Sequence, residues 1–174
     1  SFAHQGWLSD DRRFFYLNDE FDELNEGVPT STYVFDVQDL NNPKHIATFG
    51  SGLGSTDHNL MVKGQFVYEA NYSSGLRIFH ARTPYNVTEV GWIDTYPAHD
   101  NVGFIGAWGI YPMLPSGTIL VSDITNGLFI LDAHAAHASV PPLPALNLPA
   151  AVLLTLLGLV GGMFTCRRIF ATIR

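Results

Sequence analysis

The side chains best equipped for chemistry in this 174-residue chain are its seven histidines and sixteen carboxylates. His4, His45, His58, His80 and His99 are scattered, with no His-x-His or His-Glu-x-x-His pair to set two imidazoles on one metal by local spacing. Such residues meet only if the fold brings them together. In a fold of repeated units converging on a central channel, His4 and His58 are the pair that would approach. Neutral imidazoles there could take Zn2+ or shuttle protons, with Asp57 as an acid that fixes ring orientation. In the plainer alternative each histidine caps a strand or satisfies a buried backbone group.

The acidic loop from Asn18 to Glu26 offers dense oxygen donors. Asp19, Glu20, Asp22 and Glu23 are its candidate ligands for Ca2+, which takes six to eight hard oxygens. The spacing is not that of the Asp-x-Asp-x-Asp-Gly loop, however, and Phe21 and Leu24 read as packing anchors. A solvated acidic loop is the competing reading. Trp7 and Trp108 fall at matching first-strand positions of their units, and with His4, His58 and Asn59 they form the candidate ligand-contact set. No catalytic residue is assigned, because no Gly-x-Ser-x-Gly elbow is present and the single cysteine, Cys166, lies in an apolar run. Gly50 to Ser55 lacks the Lys-Ser/Thr ending of a phosphate loop and reads as a connection between units. The sequons at Asn71 and Asn86 read as surface turns.

Before Pro144 no segment sustains a helical apolar period. Short runs of Val, Ile, Phe and Tyr alternate with Gly, Asn, Asp, Ser and Pro. Segments 58–62, 66–71, 76–80 and 89–94 predict four strands joined by tight turns. The plan recurs upstream (5–8, 14–19, 33–37, 45–49) and downstream (107–111, 118–123, 128–132). Acids at Asp19, Glu69 and Asp123, and the third-strand residues Asp36, His80 and Asp132, recur at periods near 50, a repeat length of β-propellers. The predicted fold is therefore all-β: a partial β-propeller of about three blades, the last one open, followed by a linker and one C-terminal transmembrane helix. A β-sandwich of about 11 strands is the structural alternative. The divisions are 1–133 for the blades, 134–147 for a His/Pro-rich linker, 148–166 for the helix and 167–174 for a basic tail.

Segment 148–166 carries no charge and at helical rise spans about 28 Å, the thickness of a bilayer's hydrocarbon core. Leu148, Leu153, Leu156 and Leu159 represent its apolar surface, and Arg167 and Arg168 stop it. All sixteen acids precede residue 133, with only six of the nine basic residues. An acidic body and a basic end place the body outside the cell and the tail in the cytoplasm. An acidic body without a Lys/Arg stripe argues against nucleic acid. The start Ser-Phe-Ala-His carries neither Met nor a signal peptide, so the chain reads as the C-terminal part of a longer exported precursor.

Several phrases together resemble the LVIVD-repeat proteins grouped as choice-of-anchor B. They are His4 to Asp11, Phe15 to Glu20, His58 to Gly64, Tyr68 to Ile78, Asp94 to Pro97, and Gly106 to Trp108 through Gly127 to Leu131. The resemblance implies a secreted, repeat-built bacterial propeller attached to the cell surface by a C-terminal anchor read by sorting machinery. It implies no reaction. The preferred expectation is thus a non-enzymatic surface module binding a protein or glycan, without a cofactor. The alternative is a metal-dependent hydrolase or lyase with a His/acid site in the channel, for which Ca2+ or Zn2+ are the candidate ions.

Overall fold

The computed structural model describes residues 2–141. The anchor residues Leu148, Leu153, Leu156, Leu159, Arg167 and Arg168 lie outside the described residues, and so do linker residues 142–147. Among the described residues no helix is long and apolar enough to cross a membrane.

Among the described residues eleven antiparallel strands form three consecutive meanders. The first sheet holds β1 (Ala3–Leu8), β2 (Phe14–Asp19), β3 (Thr32–Asp36) and β4 (Lys44–Phe49), with helix α1 (Asp22–Glu26) inserted after β2. The second holds β5 (Asn59–Lys63), β6 (Phe66–Ala70), β7 (Leu76–His80) and β8 (Thr88–Ile93). The third has only β9 (Ala107–Tyr111), β10 (Thr118–Asp123) and β11 (Gly127–Asp132), followed by α2 (His134–Ala138). First strands lie side by side, β1 against β5 and β5 against β9, so three sheets share one inner edge instead of stacking as two layers. Asp36, His80 and Asp132 close β3, β7 and β11, as their spacing requires. Strand β11 is left as an edge with Leu128 and Ile130 exposed.

Period-two alternation explains the packing. In β6, Val67 packs toward the first sheet with Phe14, Tyr16 and Val34, while Phe66, Tyr68 and Ala70 face the third sheet's Ile110, Ile119 and Val121. Both faces of the middle sheet are therefore covered, and every residue of β6 is buried. The turn into β7 needs glycine. Gly75 has φ +77, and a Cβ there would sit 2.2 Å from the Ile93 carbonyl oxygen.

Two kinds of bulge repeat. Ile46 in β4 and Val90 in β8 are extra residues opposite β3 and β7. On the inner strands, Ala3 and Gln5 pair with consecutive residues Asp19 and Asn18, and Ala107 and Gly109 pair with Asp123 and Ser122. His4 and Trp108 are thus the extra residues of their strands.

Residues 134–141, expected as linker, belong to the same compact unit as the sheets. The alanine-rich stretch after Ala133 favours a helical turn, and α2 docks where the second sheet has room for it. Ala136 packs over Gly91, the His137 ring lies 4.4 Å from Phe66, and His137 Nε2 meets the Tyr68 hydroxyl at 2.9 Å. Tyr68→Phe is expected to lower stability by about 1 kcal/mol, the usual worth of one hydrogen bond, read as a shift in the chemical-denaturation midpoint.

Candidate metal centre

His4 and His58 converge, with ring centroids 4.9 Å apart. The bulge in β1 turns His4 away from the strand's alternation, a common role of bulges beside functional sites. His58 precedes β5 at the neighbouring inner edge. The acid between them is Glu20, just past β2. Its Oε2 lies 3.5 Å from His4 Nδ1, and its Oε1 lies 3.8 Å from His58 Nε2. One donor atom from each of the three residues falls within 4.8 Å of the others. Tetrahedral zinc with bonds near 2.1 Å puts its donors about 3.4 Å apart, so a small closure of these side chains would seat it.

The histidine's hydrogen bonding fixes its chemistry. His58 Nδ1 donates to the Trp108 carbonyl oxygen, leaving Nε2 with a lone pair on the Glu20 side. Desolvation is the main force lowering the His58 pKa, reinforced by His4 and opposed by the Trp108 carbonyl and Glu20. The ring is therefore neutral near pH 7, and a lone pair faces a carboxylate. A cation between them removes that repulsion. The Tyr72 hydroxyl donates to Glu20 Oε1 at 2.7 Å, and burial, followed by that hydrogen bond and then by the Glu20 charge, raises its pKa, so it stays protonated.

Tyr72 holds this position at a backbone cost. Its φ of 38 lies in the left-handed region, worth roughly 1–3 kcal/mol of strain for a non-glycine residue. A two-way bridge to Ala107 secures it, with Tyr72 N to Ala107 O at 3.1 Å and Ala107 N to Tyr72 O at 2.9 Å. Six aromatic rings close a circuit around this corner. From His4 it runs to His58 and Tyr72, then to Phe104 at 5.4 Å, Phe21 at 6.0 Å, Phe2 at 4.7 Å and back to His4 at 5.7 Å. Trp108 lies against His58, with ring centroids 4.2 Å apart and planes tilted by 41°. Phe2, Phe104 and Trp108 are about half exposed, which makes them an accessible apolar rim.

The acidic loop divides into separate environments instead of forming one calcium loop, and its four candidate acids are turned away from solvent while Leu24, Asn25 and Glu26 are exposed. Asp19, Glu20, Asp22 and Glu23 are all buried. Asp19 Oδ1 accepts from the backbone amides of Phe2 and Phe21. Glu20 turns to the histidines, whereas Asp22 and Glu23 turn inward on α1 to meet Asp57. Asp57 therefore does not orient a histidine, as the sequence reading expected; Glu20 and the Trp108 carbonyl do. Burial is the first cause raising the pKa of Asp57 and Glu23; the Glu23 charge adds to it at Asp57, and the Asp22 charge adds to it at Glu23. Farther along, Glu69 accepts from Thr32 Oγ1 and Asn71 Nδ2, and desolvation pushes it up to about 7.

Other expectations need correcting. Trp7 pairs with Tyr16 three residues beyond His4, roughly 10 Å along the strand, so it does not match Trp108; His4 does. Asn59 opens β5 opposite Ala70, adjacent in sequence to the site. Leu24 is exposed, although Phe21 does pack. Asn71 is buried with its amide on Glu69, so that sequon is not a surface turn. A cleft of about 890 Å3 lies elsewhere, between β8 and α2, lined by Ile78, Val90, Trp92, Ile119, Leu131 and Ala136. It holds none of these groups.

No known family and no curated protein matches the sequence. Solved structures are similar in fold. The periplasmic gluconolactonase PpgL of Pseudomonas aeruginosa superposes with a TM-score of 0.56 at 15% identity, over 80% of this chain and 41% of that one. A protein of unknown function from Bacteroides thetaiotaomicron gives 0.50 at 14% identity, over 75% of this chain and 31% of that one. The chain thus spans less than half the length of either. Its three antiparallel meanders around a shared inner edge are an all-β, propeller-like fold.

Proposed function

We propose that this chain carries a zinc-type hydrolytic centre made by His4, Glu20 and His58. The observation that supports it is the neutral His58, locked by the Trp108 carbonyl, with its Nε2 lone pair turned to Glu20 beside a second imidazole. Two imidazoles and one carboxylate suit zinc, and a zinc site with three protein ligands keeps a position for substrate. Bound there, zinc supplies Lewis-acid polarisation of a carbonyl oxygen. The protein's own contributions are distinct. The Trp108 carbonyl orients His58, Tyr72 holds Glu20, and the rim of Phe2, Phe104 and Trp108 receives the substrate's apolar face.

Cyclic esters of sugars offer both a carbonyl and a face for aromatic contact. PpgL, similar in fold, is named as a gluconolactonase, so lactones are the substrate class to test first. With glucono-δ-lactone and the full chain in detergent, acid release should track bound zinc. It should vanish in His4→Ala and slow in Tyr72→Phe. A zinc-loaded chain that releases acid no faster than the uncatalysed reaction would sink this reading.

A second reading keeps the module non-enzymatic, binding a protein or glycan at the cell surface. The half-exposed aromatic rim supports it. Under either reading we place the chain at the C-terminal end of an exported propeller of the choice-of-anchor B kind. It would be held outside the membrane by segment 148–166, with Arg167 and Arg168 on the cytoplasmic side. The sequence resemblance and the charge asymmetry support that placement.

A further inference from the structure

Behind the histidine corner lies a second group of donors, and each of its acids is built the same way. One oxygen of each carboxylate is anchored by a hydrogen bond. Tyr33 OH donates to Asp22 Oδ2 at 2.8 Å, the Asp57 amide to Glu23 Oε1 at 3.3 Å, and Asn18 Nδ2 to Asp57 Oδ2 at 3.1 Å. The other oxygen of each, Asp22 Oδ1, Glu23 Oε2 and Asp57 Oδ1, is buried and has no hydrogen-bond partner. Asn18 repeats the pattern with a neutral group. Its amide nitrogen is held by Asp57 and Thr32, while its Oδ1 is buried and unpartnered. The four residues are between 0% and 3% exposed, and none of them forms an ion pair with an Arg or Lys among the described residues.

Bare acceptors at such depth forfeit their hydration without return. Four of them, on three clustered acids and on the asparagine bonded to one of those acids, each steadied by its other polar atom, is how a protein presents oxygens to a hard cation. We propose that Asn18, Asp22, Glu23 and Asp57 form a buried Ca2+ site, separate from the histidine centre. The three acids each bring an oxygen within 4.8 Å of the others, and oxygens sharing one Ca2+ at 2.3–2.6 Å lie at most about 5 Å apart. Calcium fits better than magnesium, which keeps several waters of its own and would find little space among side chains so fully enclosed. An all-oxygen donor set excludes the softer metals that imidazole attracts. The ion would join the end of β2 and helix α1 to the segment entering β5, and so tie the first sheet to the second.

The test uses the full chain in detergent, stripped by chelator and then titrated with Ca2+ alone. Ca2+ should raise the melting temperature saturably. Tb3+ should luminesce when excited through tyrosine, because Tyr33 touches Asp22, and Ca2+ should quench that emission by competition. Asp57→Asn should weaken both responses at least 100-fold while leaving zinc uptake intact. His58→Ala should do the reverse, so failure of one site is distinguishable from failure of the other. Should Asp57→Asn not fold, Asp22→Asn carries the same readouts. The proposal is overturned if Ca2+ neither raises the melting temperature nor competes with Tb3+, in which case a proton shared by Asp22 and Glu23 fills the ion's place. It is equally overturned if the responses survive both substitutions.

Discussion

His58→Ala should all but abolish zinc capture, with affinity falling well beyond the 10–100-fold that loss of an outer-shell partner costs. Three donors converge in this centre, and His58 is the one whose geometry is set in advance. Its Nδ1 is committed to the Trp108 carbonyl, its ring is clasped by Trp108 and Tyr72, and its Nε2 faces Glu20. Trp108→Ala separates these roles. The anchoring acceptor is a backbone carbonyl, so zinc binding should survive within about tenfold while the substrate rim is lost. Protonation must compete with the metal. Because burial lowers the His58 pKa below the usual 6.5, its lone pair stays available to more acidic pH than a surface imidazole's would. Competition titrations against a chromophoric chelator measure all three effects. Equal zinc affinity in His58→Ala and wild type would disprove the centre.

The metal-free chain should respond to pH in the opposite sense from most proteins at one buried residue. Glu69 has a folded pKa of about 7 against 4.5 for the free side chain, raised first by desolvation. Between those values the folded state keeps a proton that the unfolded chain releases. The Glu69 contribution to stability therefore declines as pH rises from about 4.5 to 7 and is flat above. At 1.36 kcal/mol per pH unit the loss is roughly 3 kcal/mol. A carboxylate paired with a cation would run the other way, but Arg77, across the ladder from Glu69, spends its guanidinium on Ser74 O and Glu89. Glu69→Gln should remove this dependence. A neutral amide still accepts from Thr32, and the Asn71 carboxamide, whose Oδ1 is unpartnered, can turn to accept from it. Denaturant melts of wild type and Glu69→Gln at pH 5 and pH 8 give the comparison. A wild type no less stable at pH 8, relative to the variant, would refute the assignment.

Strand order was readable because alternation leaves a direct imprint. Phe66, Tyr68 and Ala70 take one face and Val67 and Glu69 the other, and the tight turns between them are marked by glycine. The approach of His4 and His58 was readable too, since both open the first strands of their repeats. The division of labour among the acids was not. Asp19, Glu20, Asp22 and Glu23 look alike in a row, and their separation depends on a short helix that carries no strong local signal. Asp57 joins them from 34 residues away, through a loop with no periodicity to betray it. Trp7 was matched to Trp108 by residue type, whereas register makes His4 the counterpart. A bulge shifts the frame by one residue, and no composition rule records that shift.

The paired irregularities at His4 and Trp108 have a consequence for how such a protein can change. Two of the three units, the first and the third, share the same socket on the innermost strand, a point where one residue swings out of line without disturbing its neighbours' ladder, while β5 of the second unit runs without one. One copy holds an imidazole and another an indole. Single substitutions at these sockets can exchange a ligand for a wall, so the chemistry of the centre can be rewritten by point mutation while the scaffold stays as it is.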